Sequence, residues 1–407
     1  MRILYLCHRI PYPPDKGDKI RAFHQIRALA VRHEIDLFTL ADDPADLEHS
    51  AALREYCREV TVVKLNARWA RIRSLPYLLT STALTIPYFD SAELQQRVNQ
   101  ALGERSYDRI FVYCSAMAQY VEHVANIPMV IDLVDVDSNK WTQYAAFTKF
   151  PFSAIYYREG KTLAAYERRV CEQSAAVVVT TEREARLLGQ ISPKAQVHVI
   201  PNGVDTAFFS HAAVPPKASG NTIGFTGDMA YFPNQEAVIH FARNVLPLVR
   251  EVLPDAGFLI VGRSPSPEVQ ALSGIPAVEV TGFVPDVRAH LARMKVSVAP
   301  FSIAAGIQNK ILEAMSYELP VVATSRATQG LTPAAASAVE TADSPREMAA
   351  AIVRLLRNPE MAREKGRQSR IMVAGEYNWS QSLDQLTQLL ENPTRKEARQ
   401  AALPPCS

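Results

Sequence analysis

Short apolar runs, each too brief for a core helix, recur along the whole 407-residue sequence, with helical periodicities between most of them. They fall at 3–7, 34–40, 60–65, 109–113, 129–133, 176–179 and 197–200, and again at 222–226, 258–261, 278–281, 296–300, 321–323 and 338–341. Strands that alternate with helices run parallel, because each crossover returns the chain to the same end of the sheet, and the helices then cover both faces. The expected fold class is α/β with two Rossmann-like domains. Between the two series, VIPNGVDTAFF at 199–209 turns at Asn202–Gly203, and a polar, Pro- and Ala-rich stretch follows at 210–221. This gives a first domain at 1–209, a linker at 210–221 and a second domain at 222–377. A terminal helix at 378–391 crosses back to complete the first domain, and a polar tail at 392–407 is expected to be disordered.

Composition closes off several function classes. The net charge of +2 argues against bulk nucleic-acid binding, which needs a concentrated basic excess. Five scattered cysteines form no C-x-x-C and no metal-ligand spacing, which fits a reduced, cytoplasmic protein. His8 and Arg9 arrive too early for a signal-peptide core, and no apolar run approaches the ~18 residues that span a bilayer. The chain therefore reads as soluble or peripheral. Segment 66–89 sets Arg68, Arg71 and Arg73 beside Trp69, Leu75, Tyr77, Leu78 and Leu79. Such a mixture can dock on anionic lipid, or can be a surface helix whose Arg stems cover apolar atoms.

The richest stretch is 304–324, AAGIQNKILEAMSYELPVVAT, which reads as a loop, a short helix and a buried strand. Gly306 lets backbone approach a ligand closely. The helix opens at Gln308 or Asn309, where the first amides lack intrahelical partners and the dipole favours an anion. Lys310 lies in the first turn and Glu313 one turn on, on the same face. A cation beside a diphosphate and a carboxylate accepting from ribose hydroxyls suit a sugar nucleotide; a solvated Lys–Glu pair on an ordinary helix is the competing reading. Parallel sheets gather ligands at the carboxyl ends of their strands. Asp132, Asp135 and Asp137 stand at one such end, and Gly17 precedes a helix after the first strand. Gly227 and Arg263 follow strands in the second half, where Arg263 is available as a phosphate cation.

GIQNKILEAMSYELPVVAT and IPNGVD resemble the signatures of the retaining glycosyltransferases of family 4, with closest likeness to sugar transferases of exopolysaccharide loci associated with PEP-CTERM sorting. That resemblance spans about 2–390 and implies the GT-B fold, two Rossmann-like domains whose parallel sheets face a central cleft. It implies transfer of a sugar from a nucleoside diphosphate donor to a saccharide or lipid-linked acceptor hydroxyl, with retention and without metal or other cofactor. It assigns ribose binding to Glu313, diphosphate contacts to Gly306, Ile307, Gln308, Asn309 and Lys310, and nucleobase contacts to backbone near Phe283 and Val284. The loop holding Gly17, Asp18 and Lys19 would approach both substrates, with Arg21 and His24 as weaker candidates, and Gly227, Tyr231 and Asn234 would lie near the donor. Asp135 or Asp132 would contact a sugar hydroxyl or take the acceptor proton; with Lys310 these are the catalytic candidates. Three departures stand out: Ala305 replaces a usual Glu (one branch carries Gly-x-x-x-Lys there, as Gly306 and Lys310 do), Glu318 replaces a usual Gly, and the usual Arg/Lys pair after Gly227 is absent. A GT-B-type nucleotide-sugar epimerase and a non-catalytic nucleotide-sugar-binding subunit remain the alternatives.

Overall fold

The computed structural model describes residues 1–14, 17–42, 44–217, 220–304 and 306–393. Ala305 and the tail beyond 393 lie outside the described residues. The chain divides into two compact units, Met1–Ile200 rejoined from Gln381 onward, and Pro201–Ser380.

The first unit holds seven strands: β1 (Arg2–Cys7), β2 (Glu34–Ala41), β3 (Glu59–Lys64), β4 (Arg109–Tyr113), β5 (Met129–Val134), β6 (Ala176–Val179) and β7 (Val197–Val199). Their order across the sheet is β3-β2-β1-β4-β5-β6-β7, every pair parallel. Successive side chains of a strand point to opposite faces, and β1 buries both. Leu4 and Leu6 enter one core cluster, whereas Ile3, Tyr5 and Cys7 enter the other. Each such side chain contributes roughly 1.5–3 kcal/mol of burial, which is why the run is apolar throughout and not alternating. The helix Trp379–Glu391 brings the chain back, with Leu386 and Leu390 in the first unit's core and the Arg109 Nε donating to the Leu390 carbonyl at 2.8 Å.

The second unit holds β8 (Asn221–Thr226), β9 (Ala256–Val261), β10 (Val278–Val280), β11 (Val296–Ala299), β12 (Val321–Ala323) and β13 (Glu340–Thr341). The order is β10-β9-β8-β11-β12-β13, again all parallel. Both sheets thus reverse direction of winding once, between β1 and β4 and between β8 and β11. At such a switch point the loops leave in opposite directions and open a crevice at the carboxyl ends of the strands.

The expected domain boundary at 209 falls inside the second unit. Residues after Ile200 hydrogen-bond to it: Val204 N donates to the Tyr377 carbonyl at 2.9 Å, Ser316 Oγ to the Phe209 carbonyl at 2.9 Å, and Lys217 N to the Ala292 carbonyl at 2.6 Å. A Pro- and Ala-rich composition suggested a free linker, but backbone groups satisfied this way hold the segment against the unit through Lys217.

Candidate functional site

At the β8/β11 switch point the second unit gathers most of its candidate residues. β8 ends at Thr226, and Gly227 turns the chain, its amide donating to the Val261 carbonyl at 2.9 Å. A Cβ on Gly227 would stand 2.8 Å from Asn234 Nδ2 and 3.2 Å from Lys310 Cε, so the absent side chain makes room for both. After β11 the chain passes Phe301 and reaches Gly306, whose φ of 57° lies in the left-handed region that glycine adopts without cost. Gln308 then caps the helix Asn309–Ser316 in extended backbone conformation. Its first-turn amides face outward by the geometry of any helix start. Asn202, from the IPNGVD turn, donates from Nδ2 to Asn309 Oδ1 at 3.1 Å and fixes that first turn. Ile307 packs against the unit's core beside it.

Lys310 reaches back over the crevice. Its Nζ donates to Asn234 Oδ1 at 2.8 Å, and lies 4.7 Å from the Phe301 ring centroid and 5.3 Å from that of Phe225. Asn234 is buried, and its Nδ2 donates to the Asp228 carbonyl at 2.8 Å, so its amide is oriented to present oxygen to the ammonium. The lysine is therefore held by a neutral oxygen and two ring faces, which attract a cation but leave its charge unneutralised. Burial pushes its pKa down to about 8, with Glu313 opposing. Burial likewise pushes the Glu313 carboxyl up to about 7, with Lys310 opposing. An anion at the helix start would restore the lysine's charge.

One other expectation changes. Arg263 is at the crevice, but its Nε donates to Asp228 Oδ2 at 3.1 Å, so it does not replace the missing cation pair with an unshared charge. Phe283 follows Gly282 at the end of β10 and is 72% exposed, while Val284 packs on the core. The exposed ring and Tyr231 (39% exposed) flank the same carboxyl edge. Glu318, which stands where the resembled family commonly has Gly, takes φ 58°. The left-handed position survives although the residue type does not.

In the first unit, three candidates are structural. Asp132 is wholly buried at the end of β5. It accepts from Arg21 Nε at 2.8 Å, from Gln25 Nε2 and from Val134 N at 2.9 Å, and Tyr5 OH donates to Gln25 at 2.8 Å. No lone pair is left facing solvent in that core network, so neither a catalytic Asp132 nor a substrate-binding Arg21 is supported. Lys19 is also buried, donating from Nζ to Asp46 Oδ1 at 2.6 Å, which removes it from the substrate-binding set. His24 turns toward Arg27.

Asp135 and Asp18 remain. A register shift between Asp132 and Val134 marks a bulge at the end of β5, and Val134 takes φ 65°. A β-branched residue there is an outlier that costs of order 1–3 kcal/mol, a type of strain that clusters at functional sites. It re-aims Asp135, which sits partly exposed near Thr180 Oγ1. Burial and then Glu184 push the Asp135 carboxyl up to about 7. Gly17 opens the helix Gly17–Leu29, and Asp18 accepts from Arg9 Nη1 at 3.0 Å and lies 3.4 Å from His8 Nε2. Burial works against its charge, yet His8 and Arg9 hold it well below the ordinary carboxylate range. His8, the residue directly after β1, stacks on Tyr113 at 5.9 Å and stays protonated above its ordinary value, because Cys114 and Asp18 outweigh burial. Sequence reasoning passed over His8; its place at a strand's carboxyl end next to the switch point was the available signal. Nothing in EREARLL marked Glu184, which caps the Val136 amide at 2.7 Å.

The sequence family described as "Glycosyl transferases group 1" matches residues 220–358, and that described as "Glycosyl transferase 4-like domain" matches 19–203. The chain is a glycosyltransferase of the GT-B fold. Among solved structures, this glycosyltransferase is similar to sucrose-phosphate synthase from Thermosynechococcus elongatus, with a TM-score of 0.72 at 19% identity over 96% of this chain and 98% of that one. It is similar also to Anabaena HepE in complex with UDP-glucose (TM-score 0.66, 16% identity, 96% and 100% covered) and to a variant of S. aureus TarM in complex with UDP (0.66, 12%, 96% and 99%). At these identities the likeness is one of fold. No curated protein sequence matches the chain.

Proposed function

We propose that this glycosyltransferase moves a sugar from a nucleoside diphosphate-sugar to an acceptor hydroxyl with retention of anomeric configuration and without a metal ion. The second unit holds the donor. The helix-start amides and Lys310 take the diphosphate, Glu313 accepts from the ribose hydroxyls, and backbone at Phe283 and Val284 meets the nucleobase. As the bond from the anomeric carbon to the diphosphate oxygen breaks, the negative charge grows where Lys310 and fixed N–H dipoles already point. The acceptor oxygen then bonds to that carbon, and its proton passes to the departing phosphate. On the acceptor side Asp135, with a carboxyl near 7, is the protein group suited to share the proton. His8 is held protonated by its neighbours and acts instead as a charged hydrogen-bond donor, oriented by Asp18.

The observation that carries this reading is the ammonium of Lys310, seated over Gly227 against a neutral amide and two aromatic rings beside a helix start. HepE binds UDP-glucose in its solved complex, which makes UDP-sugars the first donors to try. A saccharide or lipid-linked acceptor in exopolysaccharide assembly, met by a cytoplasmic enzyme that touches the membrane through 66–89, completes the proposal. Thermal-shift screening of UDP-, GDP- and ADP-sugars identifies the donor, because binding to the folded state raises its stability by mass action. Proton NMR of the product formed on a simple glycoside acceptor then reads the anomeric configuration. Inverted product, a requirement for divalent metal, or an epimerised donor formed without acceptor would each overturn the corresponding part.

A further inference from the structure

Two segments of the first unit, far apart in sequence, form one exposed apolar end. In the helix Ala67–Ser74, Ala70 and Ser74 face the protein, whereas Trp69 (68% exposed) and Ile72, three residues on, face outward. The following turn Leu75–Leu79 adds Leu75, Tyr77 and Leu79, the last 95% exposed. The second segment joins the helices Asp137–Phe147 and Phe152–Gln173, and there Phe147, Phe150 (83% exposed), Phe152 and Tyr157 are also exposed. The segments are stapled together. Arg158 Nη2 donates to the carbonyls of Tyr77 at 2.6 Å and Thr82 at 3.0 Å, and the buried Glu159 carboxylate accepts from Leu84 N, Thr85 N and Thr85 Oγ1 at 2.6–2.8 Å.

Charge says what this end faces. Neither 66–89 nor 138–158 contains an Asp or Glu, and each carries three Lys or Arg. Of these six, Arg73, Lys140 and Arg158 pair with Asp90, Asp137 and Glu159 just outside the two segments, and Arg68, Arg71 and Lys149 make no ion pair among the described residues. Arg68, Arg71 and Lys149 are exposed beside the apolar side chains. Large apolar side chains ringed by unopposed cations fit a lipid headgroup layer, into which the apolar groups sink while the cations stay at the anionic surface. Among the described residues no helix is long and apolar enough to cross a membrane.

We propose that Trp69, Ile72, Leu75 and Leu79, together with Phe150 and Phe152, form a two-segment wedge that seats the first unit on an anionic bilayer surface. For its purpose, bringing the enzyme to a lipid-linked acceptor, the inference rests on the proposed function; for its existence it does not. The test is co-sedimentation of the full chain with vesicles of pure phosphatidylcholine or of phosphatidylcholine with phosphatidylglycerol, at low and high salt. Binding to the anionic vesicles is expected to exceed that to neutral ones by about tenfold or more at low salt and to weaken as salt rises. The double variant Leu79→Ser/Phe150→Ser should lose about tenfold of that binding, and Arg68→Glu/Arg71→Glu a similar amount, with melting temperature and donor-induced thermal shift unchanged, since these side chains are already in water. A wild-type chain left in the supernatant with anionic vesicles at low salt overturns the proposal. So does equal sedimentation of the Ser variant, or a wild-type dimer that becomes monomeric in that variant without any vesicle binding, which would make the surface a contact between copies. Vesicle binding with no response to any sugar nucleotide would leave the wedge standing and overturn the proposed donor site; a donor response without vesicle binding would do the reverse.

Discussion

The two units repeat one architecture and place basic side chains near the switch point in both, yet treat them oppositely. In the first unit Lys19 and Arg21 each meet a buried carboxylate, Asp46 and Asp132. In the second, Lys310 meets an amide oxygen and two rings. A buried cation with a carboxylate partner is complete and belongs to the fold. One whose direct contacts are all neutral, with the Glu313 carboxyl one turn away, is stable enough to form but gains most when an anion arrives. A basic side chain on the helix that follows a switch-point strand, β1 in one unit and β11 in the other, is thus structural in the first unit and reserved for a ligand in the second.

The largest expected effect tests the structural side. Arg21→Met leaves Asp132 charged and buried without its ion-pair partner and should cost about 3–5 kcal/mol in urea unfolding, because an uncompensated buried charge is expensive. Lys310→Met, by the same comparison, should cost less, about 1–2 kcal/mol, since it strands no carboxylate in contact and leaves only the buried Asn234 oxygen unpaired. If the two variants lose equal stability, the contrast fails.

Next in size, Lys310→Ala should lower kcat/KM for transfer by about 10²–10³, the scale of losing one preorganised charge stabiliser, with the fold retained by circular dichroism. Glu313→Ala should mainly raise the donor KM, by about tenfold or more, through the loss of a charged acceptor for the ribose. pH sharpens the comparison further. Lys310 loses its proton as pH rises through about 8, and Glu313 gains one as pH falls through about 7. Donor affinity should therefore peak between these values and fall by about tenfold one unit outside either. The alkaline limb should vanish in Lys310→Ala. The smallest effect concerns Glu318 at φ 58°, where Glu318→Gly should raise stability by about 1 kcal/mol, the left-handed penalty that a side chain carries.

Much of this fold was legible because parallel strands buried on both faces must be apolar throughout, and thirteen such runs announced two sheets. The donor-side site was legible for a related reason: Gly306, Lys310 and Glu313 lie within one loop and one helix, so their juxtaposition follows from local geometry alone. The acceptor side was not. Whether Asp132, Lys19 and Arg21 are free depends on partners more than twenty residues away, and the sequence does not announce that Arg21 will find Asp132 across the sheet. Charge and position at a strand end looked alike for Asp132 and Asp135; only the bulge at Val134, a tertiary event, turns one inward and the other out. The boundary at 209 misled for a different reason, because composition reports what a segment can do in isolation and not which backbone groups will satisfy it.

The central claim is that Lys310 and the helix start at Asn309 grip a diphosphate. It is met most directly by calorimetric titration of the nucleoside diphosphate identified in the thermal-shift screen, at pH 8 in buffers of differing ionisation enthalpy. A phosphate beside Lys310 should raise the depressed pKa, so wild-type enzyme should take up about half a proton per nucleotide bound. Lys310→Ala should bind about tenfold or more weakly with no such uptake. Equal affinity and equal proton uptake in the two proteins would contradict it.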